Sequence, residues 1–402
     1  MPSLPHRYEI IALMAMLTAT VAFSIDAMLP ALPAIAEELA PGRDNLEQLV
    51  VASFVLGMGL GTLFTGPLSD RFGRKPVMLW GAGVYAVASM VGAFSESLEI
   101  MLAARLVQGL GAAGPRVVSL AILRDLYAGR EMARTISFVM IIFTLVPAIA
   151  PLMGAYLIAF AGWTSIFWAF AIFALVSSIW MATRMPETLA QANRRPFRWA
   201  SIQSAMGEMY SHPVTRLSIP AQGFCMSSLF AMIMSVQPIY DQGFGRAESF
   251  PFWFGMAALI SGVSGFLNAK LVMRLGMRRL VTAALVSQIA FTCIMIIILQ
   301  GFGPAWHFPA FVIWQVTVFF QAGLMLGNMN AIAMEHMGHI AGVAASVIGA
   351  VATVIAVILA APVGMLFDGT PKPLAYGVLI FAICAFGLMR ALARAEQQVA
   401  TV

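Results

Sequence analysis

Charge is what this sequence has least of. Asp, Glu, Lys and Arg make up 10% of its 402 residues while 60% are hydrophobic, whereas soluble domains carry about 25% charged and about 45–50% apolar residues. So little charge cannot clothe a soluble fold of this length, and a water-soluble globular protein is excluded first. Cysteine is nearly absent too: Cys225, Cys293 and Cys384 lie in apolar stretches without paired spacing. They read as small buried hydrophobes, which excludes a disulfide framework and a thiolate metal cluster. No Walker loop, catalytic triad or cofactor fingerprint occurs, so neither an enzyme nor a bound cofactor is expected, and a polytopic membrane enzyme or pump subunit is disfavoured. Glu335, His336 and His339 in "EHMGH" have no further ligand close in sequence and read as a solvated helix end rather than a metal site.

What the sequence has in quantity is long uncharged runs. A hydrocarbon core roughly 30 Å thick needs about 20 apolar residues per helical crossing. Breaking the runs at charges and Gly/Pro turns gives about twelve crossings, starting near Ile10, Leu46, Pro76, Leu98, Arg134, Trp163, Val214, Ser249, Leu280, Phe308, Ile340 and Pro373. Two runs are too long for one crossing and must double back, at Ala161-Gly162-Trp163 and at Gly301-Phe302-Gly303-Pro304. The first 34 residues mimic a secretory leader, but so many later spans make them the first span instead.

Basic residues fall almost entirely on one set of alternate connections: Arg71, Arg74 and Lys75, Arg124 and Arg130, Arg194, Arg195 and Arg198, Lys270, Arg274, Arg278 and Arg279, Arg390 and Arg394. Only Arg43, Arg246 and Lys372 fall on the other. Basic loops stay inside, which predicts both termini in the cytoplasm and makes the sequence pI of about 9.4 a sign of topology rather than of nucleic-acid binding. The polar stretch 185–212 is the expected linker between bundles at 1–184 and 213–402.

The halves look alike. "SDRFGRKPV" after the second span has a worn copy, "VMRLGMRRLV", after the eighth, with Arg71 and Gly73 answering Arg274 and Gly276. "APLMG" at Ala150 to Gly154 answers "APVG" at Ala361 to Gly364. Such a duplication points to two bundles rocking around a midplane substrate site. The first loop resembles the signature of the major facilitator superfamily, G-x-L-[SA]-D-R-x-G-R-[RK], at Gly66, Leu68, Ser69, Asp70, Arg71, Gly73, Arg74 and Lys75. "SIDAMLPALP", "RLVQGLGAAG" and "VPAIAPLMG" resemble the 12-span drug:proton antiporters, in particular the bicyclomycin/chloramphenicol resistance (Bcr/CflA) subfamily. The resemblance implies an all-α membrane protein with twelve transmembrane helices in two pseudo-symmetric six-helix bundles. It also implies an antiporter motif in span five at Pro147, Pro151 and Gly154.

Asp70 ends span two, where its own helix presents a negative pole, so it needs an external partner. Arg124 and the N-terminal end of span eleven are the candidates. The latter contact would exist only with the cytoplasmic side closed, making Asp70, with Arg71, Gly73, Arg74 and Arg124, a conformational latch. The other reading makes these charges topology signals only. Inside the spans the ionisable residues reduce to Asp26, Arg105 and Arg116, each costing at least about 2.5–3.5 kcal/mol at a helix centre. Asp26 and Arg105 fall at one depth, where a changing distance between them could load and release a proton. A static ion pair fixing helix packing is the alternative. Gln108, Ser119 and Arg116 share a face of span four with Arg105, a polar stripe expected on a cavity wall. Arg116 is expected to face substrate or to reach toward Asp125. Gln237, Tyr240, Gln315 and Asn328 supply uncharged polar groups to the second half.

The expected function is proton-coupled efflux of small amphipathic drugs, of the phenicol or bicyclomycin type, across a bacterial inner membrane by a functional monomer. Its partners would be the substrate, protons and the lipid bilayer. Export of an endogenous metabolite, an amino-acid derivative or a siderophore, by the same mechanism is the alternative.

Overall fold

The computed structural model describes residues 4–43 and 45–400, so the first three and last two residues of the expected bundles lie outside it. Among the described residues there is no strand. Twelve helices are long and apolar enough to cross a membrane. The chain divides into two units, 1–199 and 200–402. The first holds spans one to six: Arg7–Leu39, Leu46–Phe72, Arg74–Ala93, Leu98–Leu126, Gly129–Ala161 and Thr164–Arg184. The second holds spans seven to twelve: Pro213–Gly243, Ala247–Leu275, Met277–Gly301, Pro304–Met334, Gly338–Met365 and Lys372–Gln398. Segment 185–212 is no bare tether: it carries the helix Trp199–Ser211, which buries Ile202, Ala205 and Met209.

Large apolar side chains stand on the outside of these helices, with Trp80 76% and Phe160 95% exposed. Such a coat suits hydrocarbon, not water. The chain is a multi-pass membrane protein. Inside each unit, packing is close enough to depend on missing side chains. Spans two and four cross where a Cβ on Gly109 would lie 2.0 Å from the Phe54 carbonyl oxygen, and one on Gly57 2.0 Å from that of Leu106.

Both expected hairpins are present: Gly162 ends span five with φ 73°, and span nine stops at Gly301. The two related loops also turn alike, through Gly73 (φ 103°) and Gly276 (φ 77°). Span one is broken. Its first segment, Arg7–Asp26, ends at the acid, and a short turn at Leu29–Ala31 leads into Leu32–Leu39. Pro30 and Pro33 lack the amide hydrogens that would continue the ladder, so the helix stops before them.

Candidate functional site

The break in span one places Asp26 on the last turn of a helix, 5% exposed. No described side chain hydrogen-bonds or ion-pairs with its carboxylate. Span five crosses the chain one residue later: a Cβ on Gly154 would lie 2.2 Å from the Ala27 carbonyl oxygen. The glycine of the motif in span five is therefore what lets that helix lie against the backbone beside Asp26. Pro147 and Pro151 sit within the same 33-residue helix.

Arg105 is completely buried, but the ion pair with Asp26 expected from their common depth is not formed. Its guanidinium donates from Nη2 to the Ser24 carbonyl (3.0 Å), from Nε to the Val50 carbonyl (3.2 Å) and from Nη1 to Gln108 Oε1 (2.6 Å). It also lies over the Phe54 ring at 4.4 Å. The reason is local. The last carbonyls of the first helix have no partner in their own ladder and form its negative pole, so they attract a buried cation. Arg105 thus grips the helix end that carries Asp26 rather than the carboxylate itself.

The network runs on. Gln108 Nε2 donates to Ser89 Oγ (2.7 Å), Ser89 Oγ to the Tyr85 carbonyl (2.7 Å), and Tyr85 and Ser24 share a hydroxyl bond of 2.5 Å. Spans one to four are tied together through buried, mutually satisfied groups, as burial of polar atoms requires. Gln108 and Ser119, expected on a cavity wall, are fully buried. Ser119 spends its hydroxyl on the Pro115 carbonyl of its own helix (2.5 Å). Arg116 is only partly buried and reaches Met58 Sδ at 3.2 Å. It does not reach Asp125, which other groups occupy, and no described carboxylate pairs with it.

Those groups form the basic end of the first unit. The partner of Asp70 there is not Arg124 but Arg74, whose Nη1 lies 2.5 Å from Asp70 Oδ1, while its Nε holds Asp125 Oδ2 at 3.0 Å. Gly73 reverses the chain so that a residue of the next helix folds back over the negative pole of the last. The sequence argument missed Glu187. Its carboxylate accepts the Arg74 and Lys75 backbone amides (2.9 and 3.1 Å), capping the N-terminus of span three. A Cβ on Gly73 would lie 2.5 Å from Glu187 Oε2. The Arg195 amide, donating to the Asp70 carbonyl (3.0 Å), draws the following segment over the same loop. A carboxylate 113 residues away leaves no short-range signal, though an acid just past the last helix of a bundle is the kind that could cap another helix. Arg71 and Arg124 are exposed; Arg71 lies over the Phe72 ring at 4.9 Å.

In the second unit the buried polar side chains are uncharged. Tyr240 donates to Gln315 Oε1 (2.9 Å). Asn328 donates to Asn268 Oδ1 (2.7 Å). Gln237 leans on Asp241 at 3.4 Å. More informative are buried atoms with no partner: Gln315 Nε2 and Gln321 Nε2 on span ten, and Gln222 Oε1, Ser228 Oγ and Ser235 Oγ on span seven. Gln222, Ser228 and Ser235 were not singled out from the sequence, because an uncharged polar residue in an apolar run shows its isolation only when its neighbours are known. His336 stacks on His212 at 4.2 Å and His339 meets Glu208 at 2.8 Å. Among the described residues no cluster of metal-ligating side chains occurs.

The Major Facilitator Superfamily profile matches residues 14–361. The chain is 29% identical over 358 residues to a bicyclomycin resistance protein homolog of Haemophilus influenzae, covering 88% of each. It is 36% identical over 190 residues to a chloramphenicol resistance protein of Pseudomonas aeruginosa, covering 46% of this chain and 45% of that one. Its fold superposes on the crystal structure of a D-xylose-proton symporter with a TM-score of 0.75 at 12% identity, over 94% of this chain and 97% of that one. With a family match over most of its length and twelve candidate spans among the described residues, the chain belongs to the Major Facilitator Superfamily of membrane transporters.

Proposed function

We propose that the protein is a proton-coupled antiporter that exports small amphipathic drugs, of the phenicol or bicyclomycin type, across a bacterial inner membrane. It works as a monomer with both termini in the cytoplasm, its bundles being 1–184 and 213–402 with 185–212 as linker. The observation that carries this reading is Asp26: a buried carboxyl at a helix break, with no described partner. The free energy of its charge depends on what stands beside it, so a movement that admits water or a cation becomes proton uptake or release. Arg105 positions the helix end without titrating. Arg116 and the unpartnered amides of Gln222, Gln315 and Gln321 offer donors and acceptors to a substrate. The names of the drug-resistance relatives support the substrate class.

Proton entry supplies about 2.3 kcal/mol per charge per 100 mV, which sustains roughly a forty-fold concentration ratio. Asp70, Arg71, Gly73, Arg74 and Arg124 form the latch, with one Asp70 oxygen left by Arg74 for a partner elsewhere. Transport in proteoliposomes tests the mechanism. Asp26→Asn reduces chloramphenicol transport driven by a pH gradient to background while retaining substrate exchange without net proton movement. Full gradient-driven transport by the Asn variant overturns the assignment. In a background without the native cysteines, single cysteines at Gly42 and Gly303 react with an impermeant thiol reagent in intact cells and one at Ala192 does not. Labelling at Ala192 reverses the orientation.

A further inference from the structure

On the outside of the second unit, spans nine and twelve leave a groove of about 580 Å³ lined by three arginines and no acid. The arginines are not equivalent. Arg278 donates from Nη2 to Glu335 Oε2 at 2.6 Å and from Nε to Glu396 Oε1 at 2.7 Å, tying the start of span nine to the ends of spans ten and twelve. Those two acids are thereby turned to Arg278. Arg279 and Arg390 are exposed and have no described hydrogen-bonding or ion-pairing partner.

The rest of the wall is apolar apart from Thr282 and Ser287, whose hydroxyls donate to the Arg278 and Ala283 carbonyls of their own helix (2.8 and 2.9 Å). Ala283 and Val286 follow Arg279 along span nine, Met389 stands opposite on span twelve, and Val286 is 50% exposed. At 1.5 Å per residue Val286 lies about 10 Å from Arg279 toward the middle of the span. The groove therefore has two uncompensated cations at the level where span nine begins and a hydrocarbon-like floor running from there into the membrane.

We infer that this groove binds the headgroup and upper acyl chain of an anionic phospholipid, a phosphodiester of net negative charge such as phosphatidylglycerol. The match is of charge and of polarity with depth. Arg279 and Arg390 offer charge-assisted hydrogen bonds to phosphate oxygens, and the exposed Ala283, Val286 and Ala393 meet methylene groups that a free phosphate would leave uncovered. A zwitterionic headgroup brings its own cation against the two arginines and is disfavoured. Each surface arginine strengthens attachment of an anionic lipid by roughly 5-fold, so the pair favours it by roughly 25-fold. Bound there, the lipid would bridge spans nine and twelve beside the Arg278 junction.

The experiment is lipid retention by the whole protein. Solubilised from membranes and exchanged into an equimolar mixture of phosphatidylglycerol and phosphatidylcholine, the protein retains the anionic lipid by at least ten-fold, read by native mass spectrometry. R279Q/R390Q removes the preference. R394Q, one turn along span twelve and outside the groove, keeps it and serves as the control for bulk positive charge. Equal retention of the two lipids, or equal loss in R394Q and the double variant, overturns the inference. So does inorganic phosphate raising the melting temperature as much as phosphatidylglycerol, which would leave an anion site without a lipid. The exposed positions substituted are outside the core, and an unchanged melting temperature in a zwitterionic detergent verifies folding.

Discussion

The two units share a frame but handle polarity in opposite ways. At the basic end they correspond closely. In the first, Arg74 joins the start of span three to Asp125 at the end of span four, while Glu187 beyond span six caps span three. In the second, Arg278 joins the start of span nine to Glu335 and Glu396 at the ends of spans ten and twelve. The exception is Asp70, whose counterpart, Met273, carries no charge and is 86% exposed. Deeper in, the difference is one of kind. The first unit buries Asp26 and Arg105, and Arg105 donates to three acceptors, although both amide atoms of Gln48 on span two are buried without a partner. Among the described residues of spans seven and ten, the second unit buries only neutral polar side chains, several with an unused hydrogen-bonding atom. A duplicated scaffold can thus bury charged side chains in one copy and neutral polar ones in the other without altering the helix count.

The sharpest test of that contrast is removal of the satisfied centre. Arg105→Leu leaves the Ser24 carbonyl and Gln108 Oε1 without their donor, at an expected cost of about 3–5 kcal/mol. Gln315→Leu, which removes an amide already half unused, costs about 1 kcal/mol. Thermal melts in detergent followed by size-exclusion chromatography compare them, and equal losses would mean that the two units are not differently built. Gly154→Ala forces a methyl group against the Ala27 carbonyl, and overpacking of this kind costs about 1–3 kcal/mol. Gly387→Ala in span twelve, with nothing within 4 Å of its Cβ, leaves the melting temperature unchanged.

Asp70→Asn probes the one asymmetry of the basic ends. With the pair partly exposed, the stability change stays below about 1 kcal/mol, while turnover in proteoliposomes slows severalfold. Met273→Ala changes neither. Normal turnover in the Asn variant reduces Asp70 to part of a topology signal. The smallest effect concerns His212, between the linker helix and span seven, whose pKa is held below its ordinary value by burial and then by His336, against the opposing pull of Glu208. The unfolded chain then binds the proton more readily as pH falls through about 6.5. Stability therefore decreases below that pH and is fully present above it, and His212→Gln flattens the slope of melting temperature against pH between about 5 and 7.

Much of the fold was legible because membrane insertion is a one-dimensional constraint: length, apolarity and the position of basic loops are written along the chain. The twelve spans, both tight hairpins and the related turns at Gly73 and Gly276 follow from it. The buried charges were legible for the same reason, since Asp26 and Arg105 stand out in apolar runs. Their relation was not. Depth placed them at one level, but the unpartnered carbonyls at the end of the first helix, visible only once that helix stops at Asp26, claimed the guanidinium instead. Gln108 shows the same limit: helical spacing put it on the face of Arg105, and only the neighbouring span, through Ser89, decided that the face is an interior one.

The sequence by itself determined that this chain crosses a membrane about twelve times in two related halves and carries an acid and an arginine at one depth. Tertiary structure decided who holds whom: Arg105 to Ser24, Asp70 to Arg74, Glu187 to the amides of span three, Gly154 to the backbone beside Asp26. Hydropathy is a property each residue carries into any neighbourhood, whereas a hydrogen bond or a close approach exists only between groups that packing has already brought within about 3 Å.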